Sequence, residues 1–88
     1  DGYNAELKIS VSPNPINQIA NIAFSAPESG MFNLIVTNQA GQVMYTAKTI
    51  GDKGNNYITY NAYKLSKGSY YFILEDENGN RTQQMVIK

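Results

Sequence analysis

The sequence contains no cysteine and no histidine. The first absence excludes disulfides, thiolate metal sites and a cysteine nucleophile, and the second removes the commonest general base and metal ligand. Charged residues are also few, at 16% of the chain, and seven Lys and Arg balance seven Asp and Glu. A neutral chain with scattered charges has no electrostatic footprint for nucleic acid or an anionic membrane. We therefore expect no cofactor, no metal and no nucleic-acid partner.

Long apolar runs are absent too. None approaches the roughly 20 residues that cross a bilayer as a helix, so direct membrane insertion is not expected. The 88 residues suffice for one domain with a thin core. The chain begins Asp1-Gly2-Tyr3-Asn4, without an initiator Met or a signal peptide. We expect a piece of a longer protein, with residues 1–6 as a linker from an upstream domain and residues 7–88 as the domain itself.

Short runs of alternating apolar and polar residues recur along the chain, bounded by Gly, Pro, Asn and Ser, while helical periodicity is nearly absent. In the third run, for example, Phe32, Leu34 and Val36 share the inward face. In the sixth run Tyr70, Phe72 and Leu74 share the inward face, which places Ser69, Tyr71 and Ile73 outward. About seven strands at spacings of about 8–12 residues predict a two-layer antiparallel β-sandwich, with Asn61–Gly68 crossing between the sheets. The predicted strands are 7–12, 19–25, 31–37, 42–49, 56–60, 69–75 and 81–88.

Four predicted turns carry glycine. Pro27–Gly30 and Gly51–Asn55 serve as connections between strands, and the other two carry a further prediction. In Asn38–Gly41 the glycine is expected to adopt a positive φ, and in Asp76–Asn80 an Asn-Gly pair predicts a hairpin. The acidic residues of the Asp76–Asn80 turn invite comparison with a calcium loop. They lack its alternating acids and its closing bidentate Glu, so we interpret the segment as a solvated turn.

Carboxylates and tyrosines are the remaining candidates for a functional site. All the acids except Glu75 fall in predicted turns or the tail, and no pair is placed to share a cleft, so no enzymatic activity is expected. Flat aromatic rings can stack on sugars, and the strand register places Tyr57, Tyr63 and Tyr71 outward and Tyr70 in the core. Tyrosine is equally a good strand residue on a half-buried surface. Carbohydrate binding therefore stays open as an alternative.

Four motifs, in a fixed order, give the chain a family resemblance. Pro-Asn-Pro follows the first strand, a turn with Asn three residues before Gly joins the third and fourth, Leu-x-x-Gly-x-Tyr opens the sixth, and a short apolar strand ends in Lys. Together they resemble the type A C-terminal sorting domain of the type IX secretion system of Gram-negative bacteria, from about Ile9 to Lys88. The residues concerned are Pro13, Asn14, Pro15, Gly41, Leu65, Gly68, Tyr70, Met85, Val86, Ile87 and Lys88.

The resemblance implies an immunoglobulin-like β-sandwich that follows a cargo domain and folds in the periplasm. The folded module would direct the cargo to an outer-membrane translocon. A sortase-like cysteine peptidase would commonly remove the module, and the cargo would end at the cell surface or outside the cell. The chain departs from the family at Gln83 and Gln84, where members often carry a basic residue, so neither is assigned a recognition role.

Several alternatives remain at this stage. The domain could instead be an immunoglobulin-like spacer or a carbohydrate-binding module of a secreted protein. The prolines could serve only to end a strand, and Gly41 and Gly68 only to permit turns. If the last strand lies at a sheet edge, a partner could pair with its backbone by strand addition, with an exposed Lys88 contributing specificity. Free edges also leave a weak homodimer open.

Overall fold

A computed structural model describes residues 6–88. Residues 1–5, most of the predicted linker, lie outside the described residues. The described residues form seven strands, all near their predicted positions. They are β1 Lys8–Ser12, β2 Ile19–Ala26, β3 Gly30–Asn38, β4 Val43–Gly51, β5 Gly54–Asn61, β6 Ser69–Glu75 and β7 Arg81–Ile87. Within the described part of the chain, no helix is long and apolar enough to cross a membrane.

The strands form two antiparallel sheets that pack face to face. One sheet has the order β1-β2-β5 and the other the order β4-β3-β6-β7. The segment 62–68 leaves the first sheet and enters the second, as the sequence predicts. The predicted all-β sandwich is confirmed.

The core lies between the sheets and is built by the alternation within each strand. Phe32, Leu34 and Val36 of β3 are buried, as predicted from their spacing. The rings of Phe24 and Phe32 face each other across the sandwich with centroids 5.2 Å apart. Burying an aliphatic or aromatic side chain of this size contributes about 1.5–3 kcal/mol, so these positions dominate the stability of a small domain.

Ile73 departs from the simple alternation. The pattern places it outward, yet its side chain is buried. Ile73 lies on β6, a central strand, where it stands opposite Ile35 of β3 and Gln83 of β7. Side chains on both neighbouring strands cover it, so the outer face of this sheet carries an apolar stripe of its own.

The turn between β4 and β5 is shorter than predicted. Gly51, assigned to the turn from its sequence, instead ends β4 and pairs with Gly30 of β3. A β-carbon at Gly51 would lie 2.8 Å from the ring of Phe32, so close packing against the core requires glycine there. The strands therefore extend further toward this end of the sandwich.

Because every strand pairs antiparallel, the connections alternate between two ends of the sandwich. One end contains the connections 13–18, 39–42 and 62–68 together with Lys88, and we call it the motif end. The other contains the connections 27–29, 52–53 and 76–80 and the start of β1, and we call it the turn end.

Candidate functional site

The Pro-Asn-Pro segment lies along the outer edge of β7. The side-chain Oδ1 of Asn14 accepts a hydrogen bond from the Ile87 N–H at 3.0 Å, and its Nδ2 donates a longer one to the Met85 carbonyl at 3.5 Å. The Ile16 N–H donates to the Ile87 carbonyl at 2.7 Å. Pro13 and Pro15 have no N–H to contribute to a ladder. The amide of Asn14 therefore replaces a neighbouring strand's backbone at this edge.

This pairing corrects the expectation of strand addition at the end of the chain. β7 is an edge strand, which meets the condition on which that expectation depends. However, the outward backbone groups of Ile87 and the carbonyl of Met85 are already bonded to Asn14 and Ile16. A partner strand cannot pair there without displacing the Pro-Asn-Pro segment. The side chains of Met85 and Ile87 remain 52% and 45% exposed, so this part of β7 presents side chains to a partner.

Lys88 is half-buried, and the expectation of an exposed lysine is wrong. Its ammonium donates hydrogen bonds to the carbonyls of Leu65 at 2.6 Å, of Tyr63 at 3.3 Å and of Ala62. The backbone N–H of Lys88 donates to the Gly68 carbonyl at 2.9 Å, and the Gly68 N–H donates to the Lys88 carbonyl at 3.2 Å. The last residue thus ties β7 to the connection between the sheets.

The Leu-x-x-Gly-x-Tyr motif forms that connection. Tyr70 is buried, as predicted, and its hydroxyl donates to the Ser66 carbonyl at 2.5 Å. A tyrosine near the start of a strand whose hydroxyl bonds a few residues upstream is the tyrosine corner of immunoglobulin-like sandwiches. Leu65 is buried in the same core cluster. Two of the three motif residues therefore shape the crossover.

The two motif glycines differ in what they provide. Gly41 has a φ of 88°, which confirms the predicted positive φ and favours glycine. The Asn38 side chain closes that turn by accepting hydrogen bonds from the N–H groups of Ala40 and Gln42. Gly68 has no left-handed φ, and a β-carbon there would meet only the Tyr70 ring, at 4.0 Å. The fold does not require glycine at Gly68.

Gln84 has a role that sequence reasoning missed. Its Oε1 accepts a hydrogen bond from the Val11 N–H at 3.1 Å, and its Nε2 donates to the Val11 carbonyl at 3.4 Å. One side chain thus joins β7 of one sheet to β1 of the other. The signal available in the sequence is a glutamine on the inward face of the strand, two residues before the buried Val86.

At the turn end, the Asp76–Asn80 segment forms the predicted hairpin, with Gly79 at a φ of 87°. The Asp76 carboxylate accepts hydrogen bonds from the N–H groups of Asn78 and Asn80 and from the Asn80 side chain. Desolvation raises the pKa of Asp76, but these bonds, with that of Gly79, outweigh it and lower the pKa below its ordinary value. The carboxylate therefore stabilises the turn in its ionised form.

The tyrosines divide between the core and the surface. Tyr57 and Tyr63 are exposed, as predicted, and Tyr71 lies on the outer face of its sheet but is half-buried, less exposed than expected. Tyr71 stands opposite Met85 on β7, so a long neighbouring side chain covers it.

Tyr57 borders an open hollow of about 650 Å³ on the outer face of the three-stranded sheet. Side chains of Ser10, Ser12, Asn21, Ala23, Tyr57 and Thr59 line it.

Fold and site together define a small β-sandwich module whose distinguishing sequence motifs assemble at one end. The model of the secretion system C-terminal sorting domain family matches residues 10–88, and the chain belongs to that family. The domain is thus a C-terminal sorting signal of type IX secretion, which implies a secreted, cell-surface or extracellular protein. The family is not a catalytic one.

Two other comparisons add little to this assignment. No curated protein matches the chain. Among solved structures, the chain is similar to the hypothetical protein PH1083 from Pyrococcus horikoshii OT3, with 11% identity over 99% of this chain and 91% of that one and a TM-score of 0.47. A likeness of that degree carries no argument about function.

Proposed function

We propose that the motif end is the surface that the type IX machinery recognises. The domain folds in the periplasm, and an outer-membrane translocon component binds the motif end. A sortase-like cysteine peptidase then removes the domain from its cargo, which remains at the cell surface or outside the cell. In this process the domain is a targeting signal for the translocon and a substrate of the peptidase, and the catalytic residues belong to its partners.

The observation that carries the proposal is the convergence of the motifs. Asn14 and Ile87 are 73 positions apart in sequence and hydrogen-bonded in the fold. Lys88 bonds the connection that contains the Leu-x-x-Gly-x-Tyr motif. The start of that motif's strand lies beside the Asn38–Gly41 turn, because Asn38 pairs with Tyr70. The four separate segments that contain the motif positions thus meet at one end of the sandwich.

The position of the amino-terminal segment supports this assignment. Glu6 lies at the turn end, where its carbonyl accepts a hydrogen bond from the Ser25 hydroxyl at 3.2 Å. The described residues therefore begin at the turn end. A cargo domain attached there lies on the far side from the motif end and leaves it accessible to a partner.

The test is an export assay in a bacterium with a type IX system. Residues 1–88 are fused behind a neutral reporter that carries a signal peptide, and the reporter outside the cell is measured. The fusion is expected to export its reporter, and deletion of Met85–Lys88 is expected to abolish export while the reporter still folds. Normal export after the deletion, or no export of the intact fusion, would refute the proposal.

A finer pair of variants separates recognition from folding. The double substitution Met85→Ser and Ile87→Ser removes exposed apolar side chains from the motif end. The matched control Met31→Ser and Ile50→Ser removes the same residue types from the turn end, where both are exposed and paired with each other. We expect only the first double variant to lose export, with both folded by circular dichroism. Equal export by the two would contradict the assignment of the motif end.

The hollow beside Tyr57 supports a second candidate function, weak binding of a neutral glycan. Tyr57, Ala23 and Ser10 occupy one cross-strand row, so the exposed ring borders a small-residue floor. Hydroxyls and one side-chain amide surround it, and none of the described residues that line it is charged. Titration of the isotope-labelled domain with neutral oligosaccharides should shift the backbone amide NMR signals of the residues that line the hollow. Tyr57→Ala should remove these shifts, whereas Tyr63→Ala should retain them. Shifts that survive Tyr57→Ala would rule the site out.

A further inference from the structure

The charged side chains, scattered along the sequence, are segregated in the fold. All the described carboxylate side chains lie at the turn end, on the connections 27–29, 52–53 and 76–80 or on the strand ends and chain segment beside them. Two basic residues there form ion pairs, Lys8 with Glu6 at 3.7 Å and Arg81 with Glu75 at 3.0 Å. The carboxylates are Glu6, Glu28, Asp52, Glu75, Asp76 and Glu77.

The carboxylates at the turn end outnumber its basic residues. Lys8, Lys53 and Arg81 are the basic residues there, so six acids stand against three bases. Contacts across this end confirm the grouping, because the Met31 N–H donates to the Glu77 carboxylate at 3.0 Å. The turn end therefore has a net side-chain charge of about minus three at neutral pH.

The motif end has the opposite sign. Lys64, Lys67 and Lys88 lie on it, and among the described residues no carboxylate side chain does. Lys64 and Lys67 are exposed. The ammonium of Lys88 is bonded to carbonyls, which satisfy its donors without neutralising its charge. Lys48 lies midway along β4 and belongs to neither end.

The distance between the ends keeps these charges from cancelling. The nine residues of β3 span about 30 Å at about 3.4 Å per residue. The Debye length at physiological ionic strength is about 8 Å, so a partner at one end is screened from the other. The formal net charge of zero, which predicts no electrostatic footprint, thus conceals two oppositely charged ends.

Exposed apolar side chains lie next to two of the motif-end lysines in the sequence. Tyr63 is 70% exposed and adjoins Lys64, and Met85 and Ile87 emerge beside Lys88. An apolar centre with a charged rim is the usual composition of a specific protein interface. Rim charges of one sign accelerate association with a surface of the other sign and set the orientation of approach.

We propose that the motif end docks onto a protein surface whose carboxylates surround an apolar patch, and that the charge polarity of the domain orients its approach. This inference rests on the proposed function and specifies its partner's chemistry. The lysines attract such a surface while the acidic turn end is repelled from it. The domain therefore arrives with the motif end forward and the attached cargo behind.

A protein partner fits these charges better than an anionic membrane. Recognition of acidic lipids typically uses clusters of about four to eight basic residues, each contributing about 1 kcal/mol. The motif end has three, Lys64, Lys67 and Lys88, and one of them is engaged with carbonyls. A fixed apolar centre beside few charges favours a partner of defined shape.

The test compares charge reversals of equal size at different places. Lys64→Glu with Lys67→Glu reverses the motif end, and Lys48→Glu with Lys53→Glu makes the same change in net charge elsewhere. All four lysines are exposed, so both double variants should keep the wild-type melting temperature. Binding of the chain to isolated outer membranes that contain the type IX machinery is measured at low and at physiological ionic strength. Membranes from a strain without the machinery give the background.

We expect the motif-end reversal to weaken binding by about tenfold or more at low ionic strength and the control reversal by less than about twofold. Binding of the wild-type chain should also weaken as salt is added. Equal binding by the two double variants, or binding unaffected by salt, would overturn the inference. Retained binding to membranes without the machinery, or to phosphatidylglycerol vesicles, would assign the lysines to lipid and also overturn it.

The export assay separates failure of this inference from failure of the proposed function. If the unmodified fusion is not exported, the proposed function itself fails. If the unmodified fusion is exported and the motif-end reversal is exported equally well, the proposed function stands and the docking inference fails.

Discussion

The two ends of the sandwich are closed in different ways. At the turn end two hairpin turns are closed by near neighbours, since Asp76 bonds Asn80 and Asp52 bonds Asn56, each four residues away. At the motif end a closing contact joins residues 73 apart, Asn14 and Ile87. Local sequence therefore determines these two hairpin turns, whereas the contact of Asn14 with Ile87 exists only once the first and last strands lie side by side.

This difference bears on how a sorting signal is read. An unfolded chain displays each motif as a separate short segment, and such segments are common in unrelated proteins. Only the folded chain places the Pro-Asn-Pro segment and the final strand in contact. On the function proposed above, the export machinery distinguishes a finished domain from an unfolded one by binding a surface that folding creates.

The largest effect that would test this comparison is expected from Lys88→Met. The substitution removes the ammonium that donates hydrogen bonds to the carbonyls of Ala62, Tyr63 and Leu65. These carbonyls, some of them partly buried, then lack that hydrogen-bond donor. We expect a loss of about 2 kcal/mol in the free energy of unfolding, measured with urea. Lys53→Met, an exposed lysine at the turn end, should change it by less than about 0.5 kcal/mol. Similar losses for both would erase the distinction between the ends.

The next effect is expected from Asn14→Ala. It removes the side-chain bonds to the edge of β7, at a cost of about 1 kcal/mol in unfolding free energy, and it should speed hydrogen exchange of the Ile87 amide. Asn80→Ala removes an exposed local bond to Asp76 and should cost less. If Ile87 stayed fully protected in Asn14→Ala, the capping role of the asparagine would be excluded.

A pair of glycine variants, with one effect of about the same size and one near zero, separates folding from recognition within the motif end. Gly41→Ala forces a residue with a β-carbon to a φ of 88° and should cost about 1 kcal/mol. Gly68→Ala should leave stability unchanged, because neither its φ nor its surroundings require glycine. We expect Gly68→Ala nevertheless to reduce export of the reporter fusion, since its β-carbon would stand on the docking surface. A thermal melt and the export assay, run on both variants, check this; unimpaired export would leave Gly68 without a recognition role.

The smallest effect concerns Asp76 and depends on pH. Its pKa is lowered in the folded state, so the ionised carboxylate adds stability above the unfolded pKa of about 3.9, and that stability is lost as the pH falls through the folded pKa. Wild type should be slightly more stable than Asp76→Asn at neutral pH. The difference should shrink as the pH falls below about 4. Thermal melts across this range measure it, and a gap that widened on acidification would contradict the assigned sign.

The sequence predicts most of the fold, for a physical reason. Strand alternation reports which face is buried, so Phe32, Leu34 and Val36 were assigned correctly from spacing. Ile73 was not, because its burial depends on which strands flank β6. Gly51 was also misplaced, since only the packed ring of Phe32 shows that the strand continues to it.

The candidate site was predictable as a set of residues and not as a surface. The resemblance to the sorting family identified Asn14, Tyr70 and Lys88 among the motif residues. It did not predict that Lys88 bonds carbonyls of the crossover or that Gln84 bridges the sheets. Those contacts span distant parts of the chain, and no local pattern encodes the partner of a polar side chain.

The sequence by itself determined the strands, the turn glycines and the family, because alternation, turn chemistry and motif order are local or linear properties. Only the tertiary structure decided which connections share an end, and with that the positions of the charged residues among 6–88. The antiparallel ladder sends alternate connections to opposite ends. It therefore gathers six carboxylates at one end and three lysines at the other from a chain whose formal charge is zero.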